Sequence, residues 1–151
     1  SSGGSYVELA QALRRISGRP EPDLTELFRR MVFNLVVGNS DDHVKNHGVL
    51  QPCQGLWRLA PAFDMVAQLN SHTGYQELAI LPGQHASSLA LVREAAPHFG
   101  LSAALVATIV QHMLQTVAAQ AYESIKTAGG TSALAERMQA FVAEQAQRIA
   151  A

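Results

Sequence analysis

The apolar run over residues 31–37 leads at once into Gly38-Asn39-Ser40-Asp41-Asp42-His43-Val44-Lys45-Asn46-His47, and this junction constrains the chain more than any other stretch. A helical segment that is apolar nearly all round must be enclosed by other elements, so it is central. Gly38 stops it, and a polar loop leaves the middle of the molecule. With Asp64, in Leu59-Ala60-Pro61-Ala62-Phe63-Asp64, this loop holds three of the chain's four aspartates and one of its two lysines. Packing explains such a concentration poorly; binding a metal and a phosphate explains it well.

At 151 residues and 48% hydrophobic, the chain can bury a real core, and its length predicts one domain over residues 1–151. A net charge of -1 provides no broad basic field for nucleic acid or anionic lipid. The lone Cys53 rules out an intramolecular disulfide and fits a reducing compartment. No apolar run is long enough for a membrane span, and Ser1-Ser2-Gly3-Gly4 lacks the features of a signal peptide, so the expected location is the cytoplasm, with no membrane partner.

The predicted fold is mainly α, with helices at both ends and an irregular middle. Ser5-Tyr6-Val7-Glu8 has capping-box spacing and starts a helix whose apolar face is Tyr6, Leu9, Ala10, Leu13 and Ile16. A second helix is expected over about 23–37, with Leu24, Leu27, Phe28, Met31, Leu35 and Val36 inward. Pro52-Cys53-Gln54-Gly55 is turn chemistry between two short strands, 48–51 and 56–59. This hairpin returns the chain from Asn46 to Asp64. Three further helices are expected over 89–99, 102–126 and 132–149, the second facing inward through Leu105, Ile109, His112, Met113 and Val117.

Phosphoryl transfer to a hydroxyl needs a carboxylate to orient the hydroxyl and accept its proton, plus oxygen ligands that hold magnesium against the phosphates. Asp41 and Asn46, five apart, match the Asp and Asn of a kinase catalytic loop, and Asp64 falls where a second metal-binding acid would follow. Lys45 adds a positive charge for the transferring group, and His43 is a candidate to orient Asp41 or the backbone.

At these residues the chain resembles the HipA-like Ser/Thr kinases of bacterial toxin-antitoxin systems. The likeness lies in the loop as quoted, continuing through Gly48-Val49-Leu50, and in Trp57-Arg58-Leu59-Ala60-Pro61-Ala62-Phe63-Asp64-Met65. It is weaker at Gly4-Ser5-Tyr6, Leu78-Ala79-Ile80 and His98-Phe99-Gly100-Leu101. The resemblance implies the helical C-terminal lobe of a two-lobed kinase, with Asp41 as catalytic base, Asn46 and Asp64 as magnesium ligands, and His43 and Lys45 in support. It also implies ATP and Mg2+, a protein substrate from the translation machinery such as an aminoacyl-tRNA synthetase, and a helix-turn-helix antitoxin that alone brings the kinase to DNA. No glycine-rich loop between strands, and no lysine for the nucleotide phosphates, precedes residue 23. The nucleotide-binding N-terminal lobe is therefore expected to be absent, leaving a fragment or one piece of a split kinase with little activity alone.

Two other classes compete. Asp41, Asp42, His43 and His47 around one ion would make a metal-dependent phosphohydrolase; a silent kinase fold would make a non-catalytic surface for an antitoxin-like partner. Blander readings cover the rest. Asp42 is expected to support the loop or face water, and His47 to be a structural hydrogen-bonding group before a metal ligand. His98 and His112 are expected to be partly buried. Arg14, Arg15, Arg29 and Arg30 read as a solvated face before a basic patch, and residues 68–85 read as a surface region near the substrate.

Overall fold

The computed structural model describes residues 3–69 and 74–151. Among these, five α-helices pack around one core, and a single two-stranded sheet lies at its edge. Helix α1 (Tyr6–Ile16) starts where the Ser5 hydroxyl accepts the Glu8 amide at 3.2 Å, a cap worth about 1 kcal/mol. The same hydroxyl donates to the Glu8 carboxylate at 2.8 Å. Tyr6, Val7, Ala10 and Leu13 are buried, whereas Ile16, expected inward, is exposed beside the hairpin.

Helix α2 (Pro20–Val36) begins three residues earlier than expected, because proline at a first helical turn loses only an N–H that has no partner there. It is the central element, touching α1, α4, α5 and the hairpin. Phe28 has no exposed surface and meets Phe99 edge to face at 5.4 Å between ring centres.

Strands β1 (Val49–Cys53) and β2 (Leu56–Leu59) form the expected antiparallel hairpin, turning through Gln54 and Gly55. Trp57 and Phe63 are close to half exposed. Beyond residue 73 the expected surface region is part exposed and part core. Leu78, Ala79 and Ile80 are buried, and Ala79 exchanges backbone bonds with Gly4 and Tyr6 at the start of α1. The remainder of the expected surface segment, residues 70–73, lies outside the described residues.

Helix α3 (Leu89–Ala95) continues into a short 3-10 turn that ends at Gly100, whose φ of 73° is left-handed. Helices α4 (Ala103–Thr127) and α5 (Ser132–Ala150) pair along their length and cover α2. The inner face of α4 runs through Val106, Ile109, Val110 and Ala121, so Leu105 and His112 point outward; His98 is exposed as well. No helix of the described residues is long and apolar enough to cross a membrane.

Candidate active site

The loop leaves α2 through Gly38, whose φ of 66° favours glycine. A Cβ there would also sit 2.6 Å from the ring of Phe141 on α5, too close for any side chain. Gln145 of α5 donates to the Leu35 carbonyl at 3.0 Å, which also accepts the Gly38 amide at 3.3 Å, so α5 is tied to the end of α2.

Beneath the loop lies a buried polar chain. Asn39 donates to Asn34 at 3.0 Å, and Asn34 donates to the Tyr6 hydroxyl at 3.0 Å. The Tyr6 hydroxyl donates to Asp42 Oδ2, and His47 Nε2 lies 2.8 Å from the same oxygen. A carboxylate oxygen only accepts, so Nε2 carries the hydrogen. Burial raises the Tyr6 pKa well above its usual value, helped by the charge and hydrogen bond of Asp42, so the phenol stays a donor. Asp42 thus supports the loop, and His47 is a structural hydrogen-bonding group.

The candidate chemical residues behave differently. Asp41 and Lys45 are exposed. Asn46, at the end of the 3-10 turn Val44–Asn46, is buried as a residue, yet its side chain makes no hydrogen bond to the described residues. The Nδ1 of His43 is buried without a partner, while its carbonyl accepts the Asn46 amide at 2.9 Å. Asp64 is exposed and, with φ 56°, is the one non-glycine residue among those described with left-handed backbone. Aspartate tolerates that region better than most residues, but such strain collects at functional sites.

Two ties draw the Asp64 segment across the loop. Ala60 donates its amide to the Gly48 carbonyl at 2.8 Å, and Ser40 donates its hydroxyl to Gln68 at 2.7 Å. One tie lies just past Asn46, the other just before Asp41. Asp64 is midway between them in sequence, and a Cβ on Gly48 would meet the neighbouring Phe63 ring at 3.8 Å.

The hairpin is itself clamped to α2. Arg58 forks onto Asp23 at 2.7 to 3.1 Å, and Asp23 also accepts the Leu59 amide at 3.0 Å and the Ser17 hydroxyl at 2.7 Å. Burial alone would raise the Asp23 pKa, but these donors outweigh it and bring it down to about 2. Arg30, buried, donates to the Ala60 carbonyl at 2.8 Å, and Arg14 donates to the His98 carbonyl at 2.9 Å. Arg30 is therefore a structural residue, whereas Arg14, Arg15 and Arg29 are exposed, as a solvated face would be.

Asn46 and Asp64 both present oxygen atoms with no hydrogen-bond partner among the described residues, which suits magnesium, an ion that takes one or two protein oxygens and keeps several waters. A phosphohydrolase centre would need Asp42 and His47 as ligands, and both are engaged with each other. Among the described residues, no three His, Cys, Asp or Glu side chains converge on a metal position.

The sequence reading missed Tyr6, Asn34 and Asp23. The one available signal was Asn34, an amide inside an apolar helical run, where a buried partner is required.

A family profile described as the HipA-like C-terminal domain matches residues 1–148. The chain is 41% identical over 68 residues, 44% of its length, to a protein of Sinorhizobium fredii (strain NBRC 101917 / NGR234) named "Putative kinase Y4mE". It is 28% identical over 88 residues, 58% of its length, to "Putative kinase Y4dM" of the same organism. The matches span 16% and 22% of those two relatives, so the chain corresponds to a small part of each.

Proposed function

Since the chain belongs to the HipA-like C-terminal domain family, we propose that it is the catalytic lobe of a serine/threonine protein kinase. Asp41 orients the substrate hydroxyl and accepts its proton as the oxygen bonds to the γ-phosphorus of ATP and the bond to ADP breaks. Asn46 and Asp64 hold Mg2+, which neutralises charge on the phosphates when bound. Lys45 lies on the same short turn as Asn46 and presents its ammonium to the transferring group.

The observation that supports this reading is the pair of ties, Gly48 to Ala60 and Ser40 to Gln68, which join the loop to the segment on either side of Asp64, while the Asp41 and Asn46 side chains make no hydrogen bond to the described residues. Among the described residues there is no strand-bounded glycine-rich loop, and the task of covering the nucleotide phosphates falls to an N-terminal lobe outside these residues, on the same protein or on the other piece of a split kinase. It extends, on the resemblance, to a substrate in the translation machinery, such as an aminoacyl-tRNA synthetase, and to a helix-turn-helix antitoxin as regulator.

The test is phosphate transfer from ATP to protein by the full-length protein, beside its Asp41→Asn variant. Losing the base should lower the rate about 100-fold or more. An unchanged rate would remove Asp41 from the chemistry.

A further inference from the structure

Asp41 and Asp42 are neighbours with opposite surroundings. Asp41 is exposed, while Asp42 is 3% exposed and faced by a phenol and an imidazole rather than by Lys or Arg. Taking a carboxylate out of water is costly, and a loop that only had to turn would not need one. Its bond to His47 gives it a purpose. That bond joins residues five apart and closes a ring over the 3-10 turn that carries Asn46.

Within the ring, the Asn46 amide is held on the His43 carbonyl at 2.9 Å and the His47 amide on the Val44 carbonyl at 3.2 Å. From outside, Tyr6 enters from the first turn of α1, and Asn34 of α2 fixes its hydroxyl. The backbone of the same loop is anchored too, because the Ser40 and Asp42 carbonyls accept the Glu77 and Leu78 amides at 2.9 Å. The Asn46 backbone is thus set between rigid supports, while its side-chain amide makes no hydrogen bond to the described residues. Such supports commonly fix the orientation of metal ligands.

We infer that Tyr6, Asp42 and His47 are positioning residues that fix the Asn46 amide for a divalent cation, with Tyr6 linking that geometry to helix α1. The inference rests on the proposed kinase reading for the role of Asn46. It assigns none of the three to contact with substrate.

The experiment titrates the full-length protein with the Mn2+ complex of a non-hydrolysable ATP analogue, reading water-proton relaxation well below the unfolding temperature. Tyr6→Phe keeps the ring and removes only the hydroxyl; it should weaken binding about 10-fold. Val92→Ala, a core truncation in α3, outside the hydrogen-bonded chain of the loop, should destabilise the protein yet bind like wild type. The inference is overturned if Tyr6→Phe binds like wild type, if Val92→Ala weakens binding equally, or if Asn46→Ala binds as tightly as wild type. Asp41→Asn separates the two levels. Full transfer activity in that variant, beside weakened binding in Tyr6→Phe, would remove Asp41 from the chemistry and leave the positioning role standing, whereas no transfer by the wild-type protein beside the same weakening would sink the kinase assignment.

Discussion

Residues 38–47 and residues 60–68 supply the two halves of one candidate site, and they are held in contrasting ways. The first stretch sits on a buried polar chain from Asn39 to His47 and is pinned by the 77–78 backbone. The second is mostly exposed and is held chiefly at its ends, by Arg30 and Gly48 at Ala60 and by Ser40 at Gln68. The difference separates a loop whose shape is built into the core from a bridge that keeps its middle residue, Asp64, open to solvent. In the first stretch stability and chemistry are interwoven; in the second they separate.

That separation can be broken by mutation. The largest effect is expected from Asp64→Asn, which should cost phosphoryl transfer by the full-length protein about 100-fold or more while moving unfolding free energy by less than about 0.5 kcal/mol. A large loss of stability would show that the exposed stretch is structural after all. Asp42→Ala should do the reverse, costing about 3 kcal/mol of stability because it leaves the Tyr6 hydroxyl and His47 Nε2 buried without an acceptor. Denaturant unfolding measures it, and a change under 1 kcal/mol would mean that water replaces the carboxylate easily.

The clamp at the hairpin base gives the smallest effect. Folded Asp23 titrates near 2 against 3.8 for the free group, so its stabilisation is complete above about pH 4 and is lost as pH falls towards 2. The loss should reach about 2 kcal/mol and be missing from the acid titration of Asp23→Asn.

What could be read from sequence follows the range of the interactions. The Ser5 cap depends on Glu8 three residues on, and the hairpin on its own turn, so both were legible. Tyr6 with Asp42 and Arg58 with Asp23 join residues 36 and 35 apart, and no local pattern announces them. Helical spacing in α4 put Ile109, Met113 and Val117 on the core, but alanines around Leu105 leave the first turn free to shift by one position, and packing there selects Val106 instead. The Asp41-to-Asn46 spacing was legible as the pattern of a kinase catalytic loop. The ties that hold Asp64 across it were not, because Gln68 lies in a stretch without periodicity.

The central claim is that Asn46 and Asp64 share one cation above Asp41. A crystal structure of the full-length protein with Mg2+ and a non-hydrolysable ATP analogue tests it directly. The account expects one ion bound by the Asn46 amide oxygen and an Asp64 carboxylate oxygen, each at about 2.1 Å. An ordered ion on the phosphates that touches neither residue would contradict it.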